Sequence, residues 1–572
     1  MDKIKTILER GYFPVQLPPA FITTSLANKY SEIMTAWSAR NLTYNKIGRC
    51  RIEPFSVARS NYNRRVTGIV NPIPFIYLVK NIAVHWSKIQ NHYSRGRISL
   101  SRPKLARGLR SIEITKFNEL YEQKILKSTG YRFALLTDIS RFFPSIYTHS
   151  IPWAIHGKDA AKQNQKNYTD AFFGNVLDVC SMRIQDFQTI GLPIGPDTSH
   201  IIAEIIGVSI DIGLRQKLGR SLAGFRYVDD FCFFFEKREE AEEALTELAR
   251  IISSFELQIN PNKTKVIEIR DLVRESWKFK VKGLTISDDV KSQRDDVHQF
   301  FENIFSLEIK LGDESIVKYA LKVLSTRIIK KQNWKTFQAY LLKCGYTFPN
   351  TLQVIANILI TYKHHNYDID NKAISRFCTG VIKKHSVLDG HSEVAWALWI
   401  LKELSLDIDD DTFRILEDNT SSVCLLLAIS LLKTKNRLKL IRSGFFDKYG
   451  TQKSLYGDNW LIAYEAGKAG WIRGGDQSHI ESDPFFSSLL SENISFFNIH
   501  AKLKPIFDFK DPNGQLDDIF TSDEDINKYF DFDDEDEEYF DTDKSDHDED
   551  EDEENDENDD GSGSDPFSFD PF

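Results

Sequence analysis

Phe225-Arg226-Tyr227-Val228-Asp229-Asp230-Phe231-Cys232-Phe233-Phe234-Phe235 is the stretch that decides the fold. Two adjacent carboxylates stand between runs rich in aromatic and β-branched residues. That pattern predicts a β-hairpin with the Asp pair at its turn. An ordinary Asp turn is the plain alternative, because Asp is a common turn residue. Withdrawing an Asp pair from water is costly unless something positive neutralises it. A divalent cation would serve, and hard cations such as Mg2+ favour carboxylate oxygens.

The surrounding chain favours the metal reading. Leu135-Leu136-Thr137-Asp138-Ile139-Ser140-Arg141-Phe142-Phe143-Pro144-Ser145-Ile146-Tyr147 reads as an apolar strand that delivers Asp138 at its end, followed by an aromatic pair. Two cations roughly 4 Å apart need carboxylates converging from separate strands, and such a pair clamps the attacking and leaving oxygens of phosphoryl transfer. Gly191-Leu192-Pro193-Ile194-Gly195-Pro196-Asp197-Thr198-Ser199 is a Gly/Pro turn that runs into an apolar helix. Leu257-Gln258-Ile259-Asn260-Pro261-Asn262-Lys263-Thr264-Lys265 follows the Asp pair.

With these four segments in order, the chain resembles the reverse transcriptases. Residues 227–230 match the family's Tyr-x-Asp-Asp box, and the Asp138 segment matches the first palm motif. Residues 191–199 match the turn-helix motif, and 260–265 match Leu-x-Asn-x-x-Lys-Thr. The resemblance implies that Asp138, Asp229 and Asp230 hold two Mg2+ ions (Mn2+ a substitute), with the Ile139 carbonyl as a further ligand. It implies that Phe143 is the steric gate against a ribose 2′-OH. It also implies that Lys263 meets phosphate or the palm carboxylates as a point charge. Ile194, before Gly195, stands where the family's Pro-Gln-Gly turn has Gln, which touches the incoming nucleotide and the template. Ile cannot make that hydrogen bond, so the departure bears on templated copying and not on the metal chemistry.

The resemblance also implies that fingers residues before Asp138 grip the dNTP triphosphate; Arg64, Arg65, Arg107 and Arg110 are the candidates, since Arg pairs with phosphate in bidentate geometry. The net charge of −10 conceals a basic body. Residues 511–572 hold 29 of the 83 acidic side chains and two of the 73 basic ones, a charge of −27. The remainder carries 71 basic and 54 acidic groups, or +17, which suits a phosphate backbone. The six cysteines show no Cys-x-x-Cys spacing and read as reduced core residues. The start of the chain lacks a secretory apolar core. The apolar run at 423–432 is far short of the roughly 20 residues of a membrane span, so no membrane association is expected.

The expected fold is α+β, in the right-hand polymerase manner. Residues 1–130 form an N-terminal fingers region of mixed helix and loop, and 131–285 form the palm. Residues 286–505 form an α-helical domain of HEAT-like stacked pairs, and 506–572 form a disordered acidic tail. Within the palm, 236–250 has helical spacing, whereas Trp277-Lys278-Phe279-Lys280-Val281-Lys282 alternates as a strand would. Seven amphipathic segments at 296–311, 316–329, 334–342, 351–362, 373–384, 393–404 and 423–433 carry helical period. The tail cannot bury enough apolar surface to fold alone.

The palm-then-helices layout, the Gly11-Tyr12-Phe13-Pro14 opening and Gly-Leu-Pro-Ile-Gly-Pro narrow the resemblance to bacterial defence-associated, abortive-infection reverse transcriptases. That group implies a cytoplasmic bacterial enzyme. It implies DNA synthesis from dNTPs that is RNA-directed, or untemplated and protein-primed, in anti-phage defence. The partners it implies are the DNA product, a non-coding RNA, a second reverse transcriptase and further copies of the chain in a homo-oligomer. The competing class is a catalytically idle polymerase-like scaffold that binds nucleic acid or a partner polymerase. An idle scaffold has no need of three mutually repelling carboxylates.

Overall fold

The computed structural model describes residues 2–507 apart from 61, 62, 116, 220, 221, 273–276, 473 and 474. The acidic tail expected from residue 506 therefore lies almost wholly outside the described residues.

Four antiparallel strands make the central sheet: β5 Phe133–Thr137, β6 Ala223–Tyr227, β7 Asp230–Phe235 and β8 Lys265–Glu268, in the order β6-β7-β5-β8. Leu135 pairs with Phe233 and with Val266, and Tyr227 pairs with Asp230 across the hairpin turn. The strands are aromatic and aliphatic because both faces are covered. Phe231, Cys232 and Phe233 are fully buried. Helix Arg238–Ser254, the amphipathic segment expected at 236–250, packs on β5, β7 and β8. Antiparallel pairing sets the end of β5 beside the start of β7, with Thr137 opposite Phe231. The same rule brings the residues before β8 to that edge. The hairpin and the strand-end Asp138 are as the sequence predicts.

Two expectations are corrected. Residues 277–282 form a helix, Trp277–Lys282, and not a strand. Six residues fit either period. The helix wins because Trp277 and Val281, one turn apart, face inward: Trp277 packs edge-on against Tyr319 and Val281 is buried, while Phe279 is exposed. The N-terminal region is more than helix and loop. Strands β1 Glu53–Ala58 and β2 Arg64–Ile69 form a hairpin, and the short strands β3 Lys104–Leu105 and β4 Ile112–Glu113 form a second pair.

Six of the seven amphipathic segments lie on helices to within a residue, among them Trp334–Thr347, Leu352–His364, Asn371–Ser386, His391–Glu403 and Ser422–Thr434, whereas the segment expected at 316–329 is helical only as far as Leu324. Helix His391–Glu403 packs on Leu352–His364, Asn371–Ser386 and Ser422–Thr434, and Trp334–Thr347 packs on Leu352–His364 and Asn371–Ser386, but the region is not a separate body. The Trp460 indole donates to the Ile69 carbonyl, Trp37 to Phe485, and Tyr12 stacks on Phe496. Helix His391–Glu403 packs on β1. The expected division at residue 286 is thus a change of texture within one hydrophobic core. All six cysteines are buried and unbridged, as expected. Among the described residues no helix is long and apolar enough to cross a membrane.

Glu53 shows the strain of that shared core. Its side chain is 1% exposed, accepts a bond from the Ser422 N–H at the start of helix Ser422–Thr434, and leaves its second oxygen without a partner. Burial pushes the carboxyl up to about 8, although the bonds from Ser422 pull the other way. A raised folded value means that this group's contribution is intact below about pH 4 and lost as the pH climbs toward 8. We expect Glu53→Gln to gain stability over wild type progressively between pH 5 and 8, by roughly 3 kcal/mol at the upper end. Thermal midpoints measured across that range would check this, and parallel curves for the two proteins would refute it.

Candidate active site

The sheet edge gathers the predicted carboxylates. Asp138 follows β5, and its backbone carbonyl accepts from Asn260 N–H at 2.9 Å. The flanking Ile139 and Ser140 extend the pairing, Ile139 bridging Ile259 and Ser140 N–H bonding Gln258. Lys263 Nζ stands 3.4 Å from Asp138 Oδ2. The Thr137 and Thr264 hydroxyls meet at 2.7 Å and lock the two segments in register.

Asp229 and Asp230 are half-buried at the hairpin turn. Burial first, and then repulsion by Asp229 and Asp138, raises the Asp230 carboxyl well above the usual range. Lys263 and Lys124 oppose that rise. Asp138 is likewise raised by burial, against the pull of Lys263. Its Oδ1 is buried with no hydrogen-bond partner. An all-carboxylate donor set, an orphaned carboxylate oxygen and mutual repulsion together fit a hard divalent cation. Among the described residues no three His, Cys, Asp or Glu side chains form a ready-made metal cage. Lys124, on helix Phe117–Ser128, was not singled out from sequence. Its one signal there is a Lys on a helix that packs on β6 and β7, and only the fold reveals that packing.

The turn before helix Asp197–Leu218 is built from backbone bonds. Leu192 N–H reaches the Phe143 carbonyl at 2.8 Å, Gly191 N–H the Ile146 carbonyl at 2.7 Å, and Gly68 N–H the Ile194 carbonyl at 2.8 Å. Phe143 is 9% exposed and packs edge-on against His200. Gly195 has φ +121°, and a Cβ there would stand 2.7 Å from Pro14, so the Gly11–Pro14 opening is what the turn rests on.

The four predicted arginines are dispersed. Arg110 binds the Phe13 and Gly195 carbonyls, each at 2.8 Å, and the buried Asp197 carboxylate. It therefore braces the turn. Arg64 is engaged bidentately by Glu393 of the helical region, at 2.7 and 2.9 Å. Arg65 is half-exposed on β2 opposite Val57, and Arg107 is exposed between β3 and β4. The structure thus brings Asp138, Asp229, Asp230 and Lys263 together and ties Arg64 and Arg110 into the scaffold.

Comparison with known proteins agrees with this geometry. Residues 84–286 match the family model described as reverse transcriptase (RNA-dependent DNA polymerase). Among solved structures, apo telomerase from Candida tropicalis, truncated from its C-terminal domain, is 11% identical with a TM-score of 0.25. The match covers 42% of this chain and 55% of that one. Telomerase from Candida albicans, in complex with the TWJ fragment of telomeric RNA, is 13% identical with a TM-score of 0.27, and the match covers 67% and 69%. Those scores are too low to bear on the reading. No curated protein matches. The matched segment spans β3 to β8, holds all three carboxylates and Lys263, and over that length is similar to the reverse transcriptase domain.

Proposed function

We propose that the chain makes DNA from dNTPs at the Asp138, Asp229 and Asp230 edge, RNA-directed or untemplated and protein-primed, in antiviral defence. The observation that supports the synthesis most is the burial of mutually repelling carboxylates beside Lys263 in a segment similar to the reverse transcriptase domain. Defence rests on the resemblance of the Gly-Leu-Pro-Ile-Gly-Pro turn and the helical C-terminal half alone. On the same footing stand the partners: a non-coding RNA, a second reverse transcriptase or further copies of the chain.

Asp138, Asp229 and Asp230 would hold two Mg2+ ions, with the Ile139 carbonyl as an added ligand. Bound there, Mg2+ lowers the pKa of an attacking hydroxyl and stabilises charge on the leaving pyrophosphate. The chain's own part is placement. Lys263 adds one positive charge where phosphate oxygens would lie. Phe143, whose carbonyl accepts from Leu192 N–H, would present its ring to the sugar. Ile194, whose carbonyl is engaged by Gly68 N–H, would offer the nucleotide only an apolar side chain. Arg65 and Arg107 remain the candidates for a triphosphate grip.

Incorporation of labelled dNTPs that requires Mg2+ tests the reading, and sequencing nucleic acid that copurifies with the protein distinguishes RNA-directed from untemplated synthesis. Phe143→Val should raise ribonucleotide use relative to deoxynucleotide use about tenfold or more, since one crowding ring is removed. An unchanged ratio would remove Phe143 as the sugar gate.

A further inference from the structure

Val228–Asp229, between the paired Tyr227 and Asp230, is a two-residue hairpin loop that needs a positive φ, which Gly or Asn normally supplies. Here Val228 occupies that position with φ +53°, a conformation a β-branched residue rarely adopts. Both of its backbone groups are held. Its N–H donates to Ser101 Oγ at 2.8 Å, and its carbonyl accepts from Arg226 Nη1 at 2.8 Å.

These two tethers belong to one buried network. Glu204 accepts from the hydroxyls of Ser99 at 2.6 Å and Ser101 at 3.2 Å, and from Arg226 at 3.0 and 3.2 Å. Asp211 takes Arg226 Nε at 2.8 Å and Nη2 at 2.9 Å. None of the five is more than 6% exposed. Backbone bonds join the same pieces: Leu100 N–H to the Arg226 carbonyl, and Arg226 N–H to the Ile98 carbonyl. Helix Asp197–Leu218 leaves space for the guanidinium at Gly207, where a Cβ would lie 2.7 Å from Arg226 Cζ.

Such an arrangement exceeds what a hairpin needs for stability, because glycine at position 228 would relax the turn without any network. We infer that Ser101, backed by Glu204 and Arg226, is a positioning residue that sets the direction of the Asp229 and Asp230 carboxylates. This rests on the proposed synthesis at that edge. The network holds Val228 in its left-handed conformation, and Val228 in turn fixes where the two carboxylates point. A turn free to relax would lose that aim without unfolding the sheet.

The test uses the full chain and two readouts, dNTP incorporation and Mn2+ affinity by electron paramagnetic resonance, with Asp229→Ala plus Asp230→Ala as the control for both. Ser101→Ala should lower kcat about tenfold at an unchanged KM for dNTP, with Mn2+ bound several-fold more weakly. Ser101→Thr, which keeps the hydroxyl, should restore both. If Ser101→Ala fails to fold, Ser101→Cys, of similar volume but a weak acceptor, should show the same losses. Wild-type kcat and Mn2+ affinity in Ser101→Ala, or in Ser101→Cys where it stands in for it, would overturn the inference, as would a Ser101→Thr variant as impaired as Ser101→Ala. A wild-type chain that binds Mn2+ but incorporates nothing would sink the polymerase reading, and the Mn2+ affinities of the Ser101 variants would then decide the positioning inference.

Discussion

Asp229→Ala together with Asp230→Ala should abolish Mg2+-dependent incorporation of labelled dNTPs, by at least about a thousandfold, or roughly 4 kcal/mol in barrier. The loss follows from the donor set: with Asp138 alone, one carboxylate remains where two cations need several. The same substitution should leave the thermal midpoint unchanged or raised. Burial and the repulsion of Asp229 and Asp138 raise Asp230 well above its usual range, so the native fold carries a cost that alanine removes. Activity lost with stability kept is the signature of a residue retained for chemistry. Incorporation equal to wild type in the double variant would leave the idle scaffold as the better reading. A collapse of the midpoint would instead assign the pair a structural role.

The residues of that prediction were legible because each announces itself locally. Asp138 ends an apolar run, Asp229–Asp230 interrupts an aromatic one, and Lys263 follows a turn motif. Antiparallel pairing then forces the three segments to one edge. What was not legible depends on distant pairing. Arg226 sits between Phe225 and Tyr227 in a strand that could only be buried, and Glu204 and Asp211 interrupt an otherwise apolar helix. Three charges out of place in apolar elements are a signal that they meet, yet nothing local says with which partner. The β1–β2 hairpin was missed for a related reason. Buried residues run along both faces of β1, since helix His391–Glu403 covers it, so its alternation is lost. At 277–282 a six-residue alternation fits strand and helix alike, and only the packing of Trp277 and Val281 decides between them.

Arg64→Ala should destabilise the fold by about 3 kcal/mol while leaving the KM for dNTP within about twofold of wild type. The sequence offers Arg64 as a grip on triphosphate, but its guanidinium is engaged bidentately by Glu393 and bonds Ser56 as well. Glu393 is 1% exposed and accepts further bonds from His385 and Ser392. Burial on its own would raise this carboxyl. The bonds from Arg64 and then His385 outweigh it and hold the group far below the usual range. A depressed carboxyl stabilises the fold above its unfolded value near pH 4, and that stability is lost as the pH falls further. Removing Arg64 strands a buried charge, so the penalty should be largest at neutral pH and shrink toward pH 4 as Glu393 takes up a proton. In a Glu393→Gln background Arg64→Ala should cost much less, with a coupling of about 1.5 kcal/mol or more. A rise of tenfold or more in the KM for dNTP at unchanged stability would return Arg64 to the nucleotide. Additive single and double variants would show that the ion pair does not hold the β1–β2 hairpin to the helical region.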